Sequence, residues 1–351
     1  MKPSRLLATA AATVAALSLA LAGCSTGSTN GSSAGTGGGD AAAAADNAAY
    51  PVTIKHVYGE TTIEKAPTRV ATLGWSDQDV VLSLGVVPVA STKITYGGNA
   101  AGSTQWFDAK LKELGGKQPA RYSDADGIPV EEVAKATPDL ILATNSGITK
   151  DEYAKLSKIA PTIAYPGDAW GTSWQTSLDM IGKALGRSTE AAKVKTETEA
   201  VLTKAQADNP QIVGKTVIFG MLSATDTSQV QFYTPLDNRP RVLTDLGMKT
   251  APVVEELSKG TKDFSKSISA EQASTLKSDV FITYTEKPGE MRKFLTDPLL
   301  KQIPAFKTGG YVEAANPVDV TGMSSPSPLS LPYVVDKFVP SIAQAVDRAD
   351  G

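Results

Sequence analysis

Short β-branched runs alternate along the chain with stretches in which apolar residues return every three or four positions. That is the pattern of strands and helices layered around mostly parallel sheets, an α/β fold. Arg69–Leu73 reads as a strand, Asp77–Leu84 as a helix closed by Gly85, and Val86–Ala90 as the next strand. Glycine suits the position after a helix because it enters the left-handed region without a Cβ clash. Further on, Val130–Ala136 reads as a helix and Asp139–Thr144 as a buried strand. The second half repeats this grammar: strand Thr216–Met221, helix Arg239–Leu246 ended by Gly247, a strand from Met248, helix Ala270–Leu276 and strand Asp279–Tyr284. Two series in the same order predict two similar lobes.

Between the series the period is purely helical. Trp174, Leu178, Ile181 and Leu185 share one face. After Gly186, Ser188 is placed to cap a second helix with Ala191, Val194, Thr198, Val201, Leu202 and Ala205 inward, ending near Asn209–Pro210. A helix of about 20 residues spans ~30 Å, long enough for a rigid strut that limits hinge motion. The expected layout is an N-terminal lobe over 50–168, a connecting helical segment over 169–210 and a C-terminal lobe over 211–351, with a ligand cleft between the lobes.

The first 49 residues follow neither period. Lys2 and Arg5 precede the uncharged run Leu6–Ala22, as in a secretory leader. At 17 residues, interrupted by Thr9, Thr13 and Ser18, the run is short for ~30 Å of hydrocarbon. Leu21-Ala22-Gly23-Cys24 resembles a bacterial lipobox, which implies cleavage before Cys24 and acylation of that cysteine. Each buried methylene contributes ~0.8 kcal/mol, and two or more chains anchor stably. Residues 1–23 are thus read as a signal peptide, and 24–49 as the lipidated cysteine and a flexible tether. Ser25–Asn47 holds only Gly, Ala, Ser, Thr, Asn and Asp and reaches roughly 25–30 Å as a coil. The expectation is a monomer anchored by lipid to the cell membrane, facing the extracytoplasmic side.

Charge and composition exclude several functions. The chain carries 34 basic and 37 acidic residues among 351, and loss of Lys2 and Arg5 with the leader leaves 32 basic. A mildly acidic body does not suit nucleic acid, which needs clustered cations. Cys24 is the only cysteine, so no internal disulfide forms. The only histidine, His56, lies in the amphipathic strand Thr53–Tyr58, and no zinc or manganese cluster is encoded. Gly74-Trp75-Ser76-Asp77-Gln78 lacks the closing glycine of a nucleophile elbow, and Asn209 replaces the first glycine of a phosphate loop before Gly214-Lys215-Thr216. No enzymatic constellation emerges.

One internal match is more informative. Glu131–Leu142 aligns with Glu271–Ile282 at a constant offset, each copy placing a glutamate in the first turn of a short helix eight residues before an aspartate that opens a strand. Either glutamate alone would be read as offsetting a helix dipole. Two in equivalent places also form a matched pair of surface charges. With these residues in view, the chain resembles the bacterial ABC-importer substrate-binding proteins for ferric siderophores, haem and cobalamin. The likeness runs from Pro51 to Asp350 and includes Gly59–Ile63, Pro67–Leu73, the Leu84–Val89 turn, Pro138–Leu142 and Leu246-Gly247. It implies that Glu131 and Glu271 dock on arginines of a membrane permease dimer and that a ligand sits between the lobes.

Two clusters fall where such a ligand would lie. Trp75, Ser76 and Asp77 follow the first strand; Ser76 and Asp77 read equally well as N-caps, whereas Trp75 stands at the turn. Arg121 and Tyr122 in a Gly/Asp-rich loop, and Trp170 between glycines, are further candidates on that lobe. The second lobe offers Tyr233, Arg239, Arg241 and Tyr284, with Met323–Pro326 as a rim segment. Arginine at a helix start opposes the dipole, although Asp237 or Glu256 offers each a partner. Rings and guanidinium groups suit an oxygen-rich ferric chelate whose iron stays wrapped by the siderophore, so no cofactor and no protein ligand to metal is expected. Haem, with Tyr122, Tyr233 or Tyr284 as axial ligand, is the alternative. Cobalamin leaves the arginines little purpose, and a surface sensor or adhesion lipoprotein is the reading from another class.

Overall fold

Strands β1 (Val52–His56) and β2 (Gly59–Ile63) form an antiparallel hairpin whose Ile54 and Ile63 turn into the core. The structure is a computed structural model that describes residues 50–351; the expectations for Cys24, the leader and the tether lie outside them. His56 is buried in this hairpin, its Nε2 2.9 Å from the Thr61 hydroxyl, and burial lowers its pKa, as befits a neutral packing residue.

The first lobe follows as β3 (Val70–Thr72), α1 (Asp77–Ser83), β4 (Ala90–Thr92), α2 (Gln105–Glu113), β5 (Ala120–Tyr122), α3 (Val130–Lys135), β6 (Leu140–Ala143), α4 (Lys150–Leu156) and β7 (Thr162–Ala164). Its five strands are all parallel, in the order β5-β4-β3-β6-β7. The winding reverses between β3 and β6, which opens a crevice at their carboxyl ends. Asp139 locks the other end of this pair: it accepts from the Thr68 amide and hydroxyl and the Arg69 amide.

Two packed helices, α5 (Trp174–Ala184) and α6 (Ser188–Asp208), lead to the second lobe. It comprises β8 (Thr216–Met221), β9 (Gln229–Tyr233), α7 (Asn238–Asp245), β10 (Lys249–Thr250), α8 (Pro252–Leu257), β11 (Ser265–Ser269), β12 (Val280–Tyr284), α9 (Met291–Thr296), α10 (Pro304–Thr308) and β13 (Tyr311–Ala314). Helices α11 (Pro317–Ser324), α12 (Ser330–Lys337) and α13 (Val339–Asp350) close the chain. The sheet runs β11-β9-β8-β12-β13, with β10 also beside β8; β9 pairs antiparallel with both β8 and β11, and the remaining pairings are parallel. Asp279 repeats the role of Asp139, accepting from the amide and hydroxyl of Thr216.

Several elements differ from the sequence reading. The strand expected at Val86–Ala90 is β4 at Ala90–Thr92, because Val86 and Val87 pack against helices instead of entering the ladder. The helix expected at Ala270–Leu276 is a 3-10 helix, Ala270–Thr275, capped by the Ser269 hydroxyl. Ser188 is not a cap: Arg187 holds that position, with no side-chain capping bond. Arg121 and Tyr122 lie on β5, not in a loop.

One apolar cluster unites both lobes. Val70 and Leu140 of the first sheet, Leu178 and Leu202 of the connecting helices, Phe219 and Ile282 of the second sheet and Ile342 of α13 all belong to it. A buried carboxylate adds a polar tie. Asp79 on α1 accepts at Oδ2 from Trp106 Nε1 (2.7 Å) and from the Ser327 hydroxyl just before α12 (2.8 Å), while Oδ1 has no partner among the described residues.

Burial pushes Asp79 and Asp77 up to about 6. A folded-state pKa above the unfolded one means that the native state binds more protons in between. The stability from this source is therefore fully present below pH ~4 and lost as pH rises through about 6. At about 1.4 kcal/mol per unit, each carboxyl accounts for roughly 3 kcal/mol across that window. Asp139 and Asp279, held low by their hydrogen bonds, act only below it. The lowered His56 acts in the opposite sense as pH falls, so the test compares proteins: Asp79→Asn is expected to raise the melting temperature relative to the parent more at pH 7.5 than at pH 4.5.

Candidate functional site

At the carboxyl ends of β3, β4 and β12 the two lobes face each other across a hollow of about 490 Å³, within the usual range for a small-molecule site. Trp75, after β3, and Trp170, before α5, line the first-lobe side with ring centroids 4.5 Å apart. Both hang from the loop after β6: the Trp75 amide donates to the Asn145 carbonyl (3.1 Å) and the Trp170 amide to that of Ser146 (2.9 Å). Trp170 is left-handed at φ 62°, a strained state for a bulky residue. Gly147 makes room for it, since a Cβ there would stand 2.3 Å from the indole Nε1. Trp75 is 40 % exposed, an indole held open to a ligand.

The second lobe supplies an aromatic box. Phe219 packs edge-on beneath Tyr233 and Tyr284, at 5.8 and 5.4 Å between centroids. Arg239 covers them, its Cζ 4.2 Å from the Tyr233 ring centre and 5.6 Å from that of Tyr284. Asp237 caps α7 and also holds Arg239 Nη1 with both oxygens, at 2.9 and 2.8 Å. Burial alone would lower the Arg239 pKa, but the Asp237 charge outweighs it and raises the value. Burial raises Tyr284, whose hydroxyl has only a loose interaction with Tyr233 and no hydrogen bond of sound geometry.

Five of the ten residues expected at the ligand therefore line one hollow: Trp75, Trp170, Tyr233, Arg239 and Tyr284. The other five do not. Ser76 and Asp77 are buried below it, Asp77 accepting from the Thr144 amide (2.7 Å) and hydroxyl (2.6 Å). Tyr122 is buried and donates to the Thr72 carbonyl. Arg121 turns away, donating to Gln78 and Gln118 and covering Phe107 at 4.9 Å. Arg241 reaches the Gly171 carbonyl (2.6 Å) beside a separate depression.

Sequence reasoning missed Lys93, Tyr96 and Asp124 on the first lobe and Thr321 on α11, whereas Ser324 and Ser325, from the expected rim segment, do line the hollow. Tyr96 stands before Gly97, whose added Cβ would meet Thr321 Oγ1 at 2.2 Å, and the Thr321 hydroxyl donates to the Tyr96 carbonyl (3.0 Å). The lobes touch at this point. Away from the hollow, Glu131 and Glu271 are both exposed, with no ion pair among the described residues.

Two lobes, a shared core and a cleft walled by aromatic rings are the arrangement of a ligand-binding protein. Residues 70–316 match the periplasmic binding protein family, and the chain belongs to it. It is similar to PiaA, an iron uptake ABC transporter substrate-binding protein from Streptococcus pneumoniae TIGR4, at 36 % identity over 85 % of this chain and 100 % of that one, with a TM-score of 0.75. PiaA in complex with ferrichrome matches at 37 % identity over 85 % and 99 %, TM-score 0.79. A periplasmic solute binding protein from Mycobacterium smegmatis matches at 33 % over 84 % and 98 %, TM-score 0.70.

Proposed function

We propose that the protein captures a ferric siderophore, in the form of a neutral trihydroxamate chelate, and delivers it to the permease of an ABC importer. The observation that carries this reading is the charge balance of an aromatic cleft: Trp75 and Trp170 oppose Tyr233 and Tyr284 across a hollow in which Arg239 is already held by Asp237. The other charged lining residues are one of each sign, Lys93 and Asp124. A trianionic catecholate chelate calls for cations without partners, whereas a neutral chelate needs rings against its apolar flanks and fixed donors for its oxygens. The similarity to PiaA, whose complex holds ferrichrome, supports the same choice.

Haem is the weaker reading. Tyr122 is buried on the Thr72 carbonyl, and burial that raises Tyr284 opposes the phenolate needed for axial ligation. The lipid anchor at Cys24 and the tether would keep the binder at the extracytoplasmic face of the cell membrane, with Glu131 and Glu271 as docking charges. Among the described residues no helix is long and apolar enough to cross a membrane. Tryptophan emission, titrated with a ferric trihydroxamate, a ferric tricatecholate and haemin, tests the proposal. Saturable quenching by the trihydroxamate at the lowest concentration is expected; saturation by haemin alone would overturn it.

A further inference from the structure

On the far side of the turn that presents Trp170 lies a second, smaller hollow of about 250 Å³, lined by Gly167, Asp168, Gly171, Thr172, Thr176 and Arg241 among others. Three independent features converge there. Arg241, on α7 of the second lobe, is part-buried, and desolvation lowers its pKa. Its only acceptors among the described residues are neutral carbonyls, those of Gly171 at 2.6 Å and Pro235 at 3.3 Å. The neighbouring carboxylates are engaged elsewhere, Asp237 by Arg239 and Asp245 by Trp174 Nε1 and Gln175 Nε2.

The second feature is the start of α5, an 11-residue helix whose N-cap Ser173 and third residue Thr176 stand on the wall of the hollow. The Ser173 hydroxyl takes the Thr176 amide at 3.2 Å. The amides of Thr172, Ser173, Trp174 and Gln175 donate to no acceptor among the described residues. Such a helix start carries a partial positive charge and directed N–H donors. The third feature is Thr172 itself: it is 5 % exposed, lines the hollow, and its hydroxyl has no partner among the described residues. A buried hydroxyl without a partner is uncommon and marks a place where a polar group from outside fits.

We infer that this hollow is a binding site for a small oxyanion, phosphate, sulfate or a carboxylate, held between the Arg241 guanidinium, the Thr172 hydroxyl and the first turn of α5. Guanidinium matches the oxygens of such anions through paired N–H donors. The exposed carboxylate of Asp168 on the rim works against occupancy and sets the affinity. Because Arg241 belongs to the second lobe and α5 to the connection from the first, a bound anion ties the two together beside the main cleft.

The test uses the full chain without siderophore, so its result does not depend on what the main cleft binds. Inorganic phosphate, sulfate and acetate are titrated by calorimetry at constant ionic strength in chloride, with melting temperature as a second readout. At least one oxyanion is expected to bind saturably and raise the melting temperature. Arg241→Gln should weaken that binding at least tenfold and Thr172→Val severalfold, whereas Asp168→Asn should tighten it. Thr172→Val removes only the hydroxyl that lacks a partner, which keeps the test decisive if Arg241→Gln impairs folding. The three anions distinguish phosphate-like from carboxylate occupants. No saturable binding by any of them, or binding unchanged in Thr172→Val and in folded Arg241→Gln, would overturn the inference.

Discussion

Replacing Arg239 by alanine is expected to weaken capture of a ferric trihydroxamate by about two orders of magnitude. The guanidinium is the polar lid of the Tyr233–Tyr284 box, 4.2 Å above the first ring, and the only ion-pair partner of Asp237 among the described residues. Its removal costs twice: the chelate loses a charged donor, and a carboxylate that is 9 % exposed is left without its counter-charge. The two effects separate in a double variant, Asp237→Asn with Arg239→Met. That protein removes the orphan charge and should recover melting temperature but not affinity. Fluorescence titration alongside thermal unfolding reads both. An Arg239→Ala protein that binds within threefold of the parent would place the guanidinium outside recognition.

The second large effect concerns transport. On the proposed docking role, the double variant Glu131→Ala, Glu271→Ala binds chelate with unchanged affinity yet loses uptake at least tenfold, measured with radioactive iron in cells lacking the parent protein. The glutamates sit in the first turn of α3 and of the 3-10 helix before β12, equivalent places on the two lobes, and both are exposed. A single exposed ion pair contributes ~0–1 kcal/mol. Each single variant should therefore lose uptake only a few-fold, the pair acting together to fix orientation. Normal uptake by the double variant would remove the docking role.

The architecture was legible because it is written in periodicity. Trp174, Leu178 and Ile181 on α5 and Leu185 just after it all proved buried, and β8 occupies the residues that its β-branched run predicts. The cleft was half legible, and its failures share a cause. Asp77 looks like a helix cap, but its partner, Thr144, lies 67 residues away in the turn after β6, a pairing no local pattern encodes. Arg121 and Tyr122 were misread because a three-residue strand between polar turns resembles a loop. Ending β4 two residues early, at Ala90, moved its carboxyl end away from Lys93–Tyr96, so the segment that reaches the second lobe was passed over. Tyr96 followed by Gly97-Gly98 was the available signal: an aromatic ring beside a turn at the end of a strand.

The apolar cluster that runs from Val70 through Leu178 and Leu202 to Phe219 and Ile342 bears on how the protein comes apart. Lobes joined by a flexible linker melt separately, each with its own core. Here neither half keeps a complete interior, since cutting at the connecting helices would strip both sheets of the side chains that cover them. The two lobes should therefore unfold as a single cooperative unit: one calorimetric transition, with equal calorimetric and van't Hoff enthalpies, and no stably folded product from residues 50–168 alone.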